Sequence, residues 1–332
     1  MNVDLLLDWY GINKRELPWR EDKDPYKVWI SEIILQQTRV KQGLDYFYRL
    51  IEAFPSVEDL AHAKEQEVLK LWQGLGYYSR ARNLRLGAES IVKSEKFPED
   101  FKGWLQIKGV GRYTAAAICS ICYNHKTPAI DGNALRVYTR VFALEIDIHK
   151  SSSSVFLFEK ISEMLQNKKL DMGDLNQAIM DLGSSICVPK NPSCTSCPLK
   201  SECLAYQTGK THLYPFSSKK IKTTNREIHY VFYQFQDLFY LKQRKQKDIW
   251  QGLFDFPEMA QKPVEDLELI HSQNHLLTHQ RLQLSFWHKK IDSRAEFELI
   301  GEKNNYTVAQ KNDLDKFPVP KPLADFLKKF VP

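Results

Sequence analysis

Four cysteines are bunched past the middle of this sequence in the pattern Cys187-x6-Cys194-x2-Cys197-x5-Cys203. One tight Cys-x2-Cys pair with two further thiols can hold zinc or a four-iron cluster, and the spacing alone divides the two evenly. Two carboxylates point to a different chemistry. Glu32 lies in Ser31-Glu32-Ile33-Ile34-Leu35-Gln36-Gln37-Thr38, and Asp131 in Ile130-Asp131-Gly132-Asn133. Two acids can act as a general acid and a charged partner if the fold brings them together. His271, His275 and His279 are spaced by four, which on a helix would invite a metal. No carboxylate accompanies them and a strand pattern begins beside His279, so they are read as ordinary residues.

Each acid needs an element to hold it. Ile107-Lys108-Gly109-Val110-Gly111-Arg112-Tyr113-Thr114-Ala115 is entered from Phe101, Trp104 and Leu105 and left by an alanine-rich run, which reads as helix, hairpin, helix. The turn is expected to need both glycines, Gly109 and Gly111, and its outward amides would suit a DNA phosphate. A tight turn between two packed helices gives the same letters. Asp131, some twenty residues past the hairpin, also fits a plain helix N-cap. For Glu32, a helix is expected from about Pro25 to Val40, with Ile30, Ile33, Ile34 and Gln37 on one side and Glu32, Gln36 and Arg39 on the other. On spacing alone that second face is solvated and carries a Glu–Arg pair.

Around these lie a first helix packing Leu5, Leu6, Trp9 and Tyr10 and ending near Gly11, a loop at Leu17-Pro18-Trp19-Arg20, and helical stretches from Val155 to Leu182 that turn Gln177 inward. Cys119 and Cys122 read as small core residues. With 332 residues, 43% of them hydrophobic and 12% aromatic, the chain has material for two cores and is not disordered. Its 47 basic and 41 acidic residues give +6, which suits a polyanionic partner without specifying one. The start lacks a secretory pattern and no apolar run could span a membrane, so a soluble, cytoplasmic protein is expected.

The composition turns polar and basic from Tyr206 to Arg226, a linker (206–226). Beyond it, alternating aromatic runs from Ile228 to Phe235 and Leu282 to Phe286, with a helix near Lys321 to Phe330, predict an α+β domain.

Leu17-Pro18-Trp19-Arg20, the stretch from Ser31 to Thr38 and Gly74-Leu75-Gly76-Tyr77-Tyr78-Ser79-Arg80-Ala81-Arg82-Asn83-Leu84, together with the hairpin, resemble the MutY family of adenine DNA glycosylases in the helix-hairpin-helix glycosylase superfamily. The resemblance covers residues 1–205, and Ile249-Trp250-Gln251-Gly252-Leu253-Phe254-Asp255-Phe256-Pro257 extends it to that family's Nudix-like domain. It implies a mostly α N-terminal helix-hairpin-helix glycosylase domain with an iron-sulfur cluster loop (187–203), plus an α+β Nudix-like C-terminal domain (227–332). The cysteines would then hold a [4Fe-4S] cluster through Cys187, Cys194, Cys197 and Cys203, with Lys190 and Lys200 meeting the DNA backbone.

Glu32 maps to the family's catalytic acid and Asp131 to its aspartate, with Tyr113 and Asn133 as hydrogen-bonding support. Gln177 maps to the position that reads the adenine edge, Gln37 and Thr38 to the damaged guanine, and Leu75 and Tyr77 to the wedge that enters the base stack, with Arg15, Trp19, Arg20 and Leu35 as further substrate- or DNA-binding residues. Arg80, Arg82 and Arg85 are candidates for phosphate contact. The family's Phe-Ser-His lesion loop corresponds to Leu277-Thr278-His279, which keeps a hydroxyl and loses the aromatic ring. The Nudix pyrophosphatase box is not found, which implies recognition without hydrolysis.

The implied partner is duplex DNA with adenine opposite 8-oxoguanine or guanine, bound by a monomer. A lysine that serves other members of the superfamily as an amine nucleophile falls at Tyr113. A phenol of ordinary pKa about 10 cannot form a Schiff base, which predicts base removal without coupled lyase chemistry. An endonuclease III-like lyase needs that amine. A thymine-mismatch glycosylase gives no reason for Glu32 or the second domain, and a non-catalytic DNA-binding module leaves both carboxylates without a task.

Overall fold

The computed structural model describes residues 1–36, 38–218, 223–262 and 267–331. The chain forms two compact units that are not consecutive in sequence: Met1–Ala61 with Leu86–Lys219, and His62–Arg85 with Lys220–Pro332. In chain order the helices begin with α1 (Val3–Asn13), α2 (Pro25–Leu35), α3 (Val40–Ala53), α4 (Val57–His62), α5 (Glu65–Leu71) and α6 (Ser79–Lys93). They continue with α7 (Phe101–Gln106), α8 (Arg112–Tyr123), α9 (Gly132–Val141), α10 (Ser151–Leu165), α11 (Met172–Ser185) and α12 (Leu204–Gln207).

In the first unit, α1 is started by the Asn2 side chain, which accepts from the Asp4 and Leu5 amides. It runs two residues past Gly11, and Leu5 faces outward, 42% exposed, while Val3, Leu6 and Tyr10 enter a core built with α9, α10 and α11. Each fully buried leucine there contributes about 2 kcal/mol. α8 is buried along one continuous run from Thr114 to Ile121, Cys119 included, while Cys122 is half-buried. A central helix of small residues lets its neighbours approach closely.

α2 is shorter than expected. Asp24 caps it and Pro25 begins it, but the chain leaves helical geometry at Gln36 and re-enters a helix at Val40. Gly43 of α3 shows why the break is needed: a Cβ there would meet Leu35 at 2.9 Å and Ile34 at 3.1 Å, so α3 folds back tightly onto the end of α2. Arg39 therefore does not continue the helical face of Glu32, and the expected solvated Glu–Arg pair is replaced by a buried carboxyl.

In the second unit the strands are β1 (Thr224–Phe235), β2 (Leu238–Gln243), β3 (Phe254–Asp255), β4 (Glu258–Met259), β5 (Glu268–Leu276), β6 (Gln280–Lys290) and β7 (Thr307–Gln310), with α13 (Arg294–Asn304) and α14 (Lys321–Phe330). The sheet order is β3-β2-β1-β6-β5, with β4 also on β1 and β7 also on β2. β1 and β6 run parallel from Thr224 opposite Gln280 to Gln234 opposite Lys290. β5 and β6 form an antiparallel hairpin. His271 and His275 both lie on β5, and the His271 ring packs against Phe286, Phe326 and Phe330. Among the described residues no helix is long and apolar enough to cross a membrane.

Candidate active site

Glu32, in the last turn of α2, is 7% exposed. Burial pushes its carboxyl up to about 7, the nearby Asp131 charge adds to this, and a hydrogen bond from Tyr113 and the charge of Arg20 oppose it. Tyr113 comes from the first turn of α8, immediately past the hairpin, and burial beside the two acids drives its phenol far above the usual range. Its hydroxyl also donates to Met180 Sδ at 3.1 Å.

Asp131 is the N-cap of α9. Its carboxylate accepts from the Ala134 amide at 2.7 Å and from Asn133 Nδ2 at 2.7 Å. Burial raises this carboxyl too, but the two donors pull the other way. The arrangement separates the acids by partner: Glu32 meets one phenol, whereas Asp131 is held by an amide and a side-chain donor that favour the charged form.

The hairpin departs from expectation in one glycine. Gly109 takes a left-handed φ of 83°, which a Cβ would strain, while Gly111 is extended at φ −95° and ψ 176°. A Cβ on Gly111 would meet nothing within 4 Å, so the turn itself needs only the first glycine. Gly111 caps α8 without a side-chain bond, leaving the amides at that helix start open to an anion.

Arg15 and Arg20 converge on Asp181 of α11, which is 2% exposed. Arg15 Nε is 2.9 Å from its Oδ1, and Arg20 reaches both oxygens at 2.9 and 3.1 Å. Burial alone would raise Asp181, and the two guanidiniums overcome it and hold the carboxyl low. Trp19 is buried edge-on to Phe47 at 5.0 Å. Leu35 and Thr38 are half-buried at the turn after α2, Gln177 is buried on α11, and Gln37 lies outside the described residues. Asp181 was not anticipated, although it stands one helical turn beyond Gln177 on the same face.

The four cysteines line one cavity, together with Val137, Arg140 and Leu182. Burial, with a smaller push from the neighbouring thiols, raises the Cys197 thiol to about 11, a penalty that a metal would relieve by binding the thiolate. Among the described residues no three metal-binding side chains are close enough to share one ion. α9 ties this loop to Asp131. Asn133 Oδ1 accepts from Arg136 Nη2 at 2.9 Å, Arg136 Nε donates to the Cys187 carbonyl at 2.7 Å, and Arg140 donates to Cys187 Sγ at 3.3 Å and to the Val188 carbonyl at 2.8 Å. Lys190 and Lys200 are exposed.

In the second unit, the loop after α5 places Gly74 and Gly76 at φ 99° and 77° and forces Tyr77 to φ 49°. Tyr77 is 42% exposed while Leu75 is buried. Arg80 lies over the Trp72 and Tyr77 rings, and Arg82 is engaged by Gln251 through its carbonyl and, at 3.2 Å, its side-chain oxygen. Arg85 reaches the Ala63 carbonyl at 3.5 Å. Thr278 and His279 are the exposed tip of the β5–β6 hairpin, closed by Leu277 N–H to the Gln280 carbonyl at 2.8 Å. The Tyr77 hydroxyl is hydrogen-bonded to Thr278 Oγ1.

The HhH-GPD superfamily of base excision DNA repair proteins matches residues 30–162, and the NUDIX domain family matches residues 229–329. Fold and site thus define a helix-hairpin-helix base excision repair protein with a Nudix-like second domain. The adenine DNA glycosylase of Buchnera aphidicola subsp. Schizaphis graminum is 37% identical over 292 residues, 86% of this chain and 82% of that protein. That of Mus musculus is 42% identical over 213 residues, 61% of this chain and 41% of that protein. A thermostable thymine-DNA glycosylase structure superposes with a TM-score of 0.56 at 25% identity, covering 62% of this chain and 95% of that one. Endonuclease III in a non-covalent DNA complex gives 0.53 at 20% identity over 62% of this chain and 94% of that one, a likeness of fold. The chain belongs to the adenine DNA glycosylase family and is a base-excision repair enzyme that hydrolyses the N-glycosyl bond of adenine.

Proposed function

We propose that the enzyme removes adenine paired with 8-oxoguanine or guanine in duplex DNA, as a cytoplasmic monomer and without strong lyase activity. The observation that carries this is the pairing of a buried, raised carboxyl with a donor-held one on either side of Tyr113. Glu32, protonated near neutral pH, donates its proton to the ring nitrogen of the departing adenine, which leaves as a neutral base. Asp131 stands as carboxylate beside C1′ and stabilises the sugar cation by charge or by transient bonding. Glu32, now deprotonated, accepts a proton from the attacking water. Tyr113 and Asn133 hold the two acids in place.

A phenol where a lysine would be needed supports release of an abasic product rather than strand cleavage. Gly109 and Gly111 present the hairpin amides to a phosphate. Gln177 reads the adenine edge, Arg15, Trp19, Arg20 and Leu35 contact the substrate or its DNA, and Gln37 and Thr38 meet the opposite guanine. Leu75 and Tyr77 enter the stack that the adenine leaves, offsetting part of the few kcal/mol that extrusion costs. Thr278 and His279 check the lesion, with the Tyr77 bond to Thr278 in support.

The thiols of Cys187, Cys194, Cys197 and Cys203 line one cavity, a four-sulfur donor set that suits a [4Fe-4S] cluster. Such a cluster, when bound, supplies four metal–thiolate bonds that cross-link the loop. Arg136 and Arg140 then fix the start of α9 relative to that loop.

Single-turnover cleavage of duplexes holding adenine opposite 8-oxoguanine, guanine or thymine tests the reading, each with alkali and with borohydride trapping. Alkali-dependent cleavage, fastest opposite 8-oxoguanine and with little trapped adduct, is expected. Efficient trapping on oxidised pyrimidines with no release of adenine would overturn it.

A further inference from the structure

Tyr113 has one phenolic hydrogen and two acceptors. Its hydroxyl donates to Met180 Sδ at 3.1 Å, and the Glu32 carboxyl beside it is the competing acceptor, whose charged form a bond from that hydroxyl would favour. The acceptors are unequal: a thioether sulfur is weak in this role, and an ionised carboxylate is strong. The hydroxyl's direction therefore depends on the state of Glu32. While Glu32 holds its proton, the phenol can rest on sulfur, and once that proton is given away the carboxylate competes for it.

We propose that Met180 is a positioning residue, whose sulfur draws the Tyr113 hydroxyl away from Glu32 and so keeps Glu32 in its proton-donating form. The inference rests on the reading of Glu32 as general acid. A bond from Tyr113 to the carboxylate favours the charged form, so a competing acceptor favours the acid form. The charged and titratable groups facing Glu32 are Arg20, from the turn before α2, Asp131, ahead of α9, and Tyr113 and Cys122, both on α8. Asp181 and Arg15 stand behind Arg20. Arg20 and Asp131 act on Glu32 through charge, Tyr113 through its hydroxyl. Met180, half-buried on α11 and uncharged, can act only through the phenol.

The test is single-turnover excision of adenine opposite 8-oxoguanine from about pH 5 to pH 9, the range that brackets a tuned catalytic acid. Met180→Leu keeps the volume and removes the acceptor, whereas Met180→Gln supplies a stronger one. M180L is expected to move the alkaline limb of the rate to lower pH by roughly half a unit, the equivalent of one modest hydrogen bond. M180Q should move it upward. Combined with Tyr113→Phe, neither substitution should move the limb at all. A limb present in the wild type but fixed in both single variants overturns the inference, and so does an equal shift in the Y113F background, which would make Met180 a packing residue. A wild-type rate that is flat across this range instead sinks the general-acid reading of Glu32.

Discussion

Two carboxyl groups in this molecule are buried to nearly the same degree and do opposite things. Glu32 in the helical unit is 7% exposed and Asp255 in the sheet-bearing unit is 2% exposed, and burial pushes both upward. Asp255 is met directly by the Arg244 guanidinium and, at 3.3 Å, by the Tyr230 hydroxyl. Arg244 in turn engages Glu258 and, at 3.1 Å, Asp248, which Arg226 holds from the other side at 2.9 Å. Each carboxylate in that network is met by at least one arginine. Glu32 instead shares a single phenol with a methionine sulfur, and its nearest cation, Arg20, is turned toward Asp181. Burial raises a carboxyl in either place, but only an incompletely claimed one can give its proton to something that arrives later.

Substitution should separate the two most sharply. Glu32→Gln is expected to slow adenine excision by about 10²- to 10⁴-fold or more while DNA binding persists, as measured by single-turnover cleavage and gel-shift titration. Asp255→Asn should leave the chemistry of a folded molecule intact but cost about 3–5 kcal/mol of stability in denaturant unfolding, because Arg244 loses its buried counter-charge. If D255N destroyed excision in fully folded protein, the contrast would collapse.

The pH dependence sharpens the same point. Glu32 must be protonated to act, so the rate should fall as pH rises through about 7. Its folded-state pKa lies above the ordinary 4.5, so the folded state binds the extra proton between those values. This group's contribution is therefore fully present at low pH and is lost as pH rises from about 4.5 to about 7. Urea unfolding across that window should show up to about 3 kcal/mol of pH-dependent stability that E32Q removes. The smallest effect should come from Thr278→Val, which takes away the partner of Tyr77. A loss of about 1 kcal/mol or less in discrimination between 8-oxoguanine and guanine is expected from competition between the two duplexes.

Residue type made much of the site legible. The Cys-x6-Cys-x2-Cys-x5-Cys run, the glycine hairpin and Asp131 at a helix start are local patterns, and each lies where its letters suggested. The burial of Glu32 was not legible from its helix, because it depends on α2 stopping at Leu35 so that α3 can fold back through Gly43. Asp181 and Met180 act through partners some 70 to 170 positions away in sequence, and no periodicity reports such contacts. Gly111 misled for a different reason: its letter looks the same as that of Gly109, yet its extended backbone and the open space around it would admit a Cβ.

The interleaving of the two units also bears on how the protein can be taken apart. The polypeptide passes from one unit to the other three times, at 61/62, 85/86 and 219/220. A protease that severs only the last crossing would produce two fragments on a denaturing gel, yet not two independent bodies in solution. The shorter fragment would still be gripped by residues 62–85, through Arg82 on Gln251, Lys70 on the Leu314 carbonyl at 2.8 Å, and Gln73 on the Val319 amide at 3.2 Å. Expressing residues 220–332 alone would strip those carbonyls and amides of their partners, so a nicked preparation is a better guide to this unit's behaviour than a truncated gene.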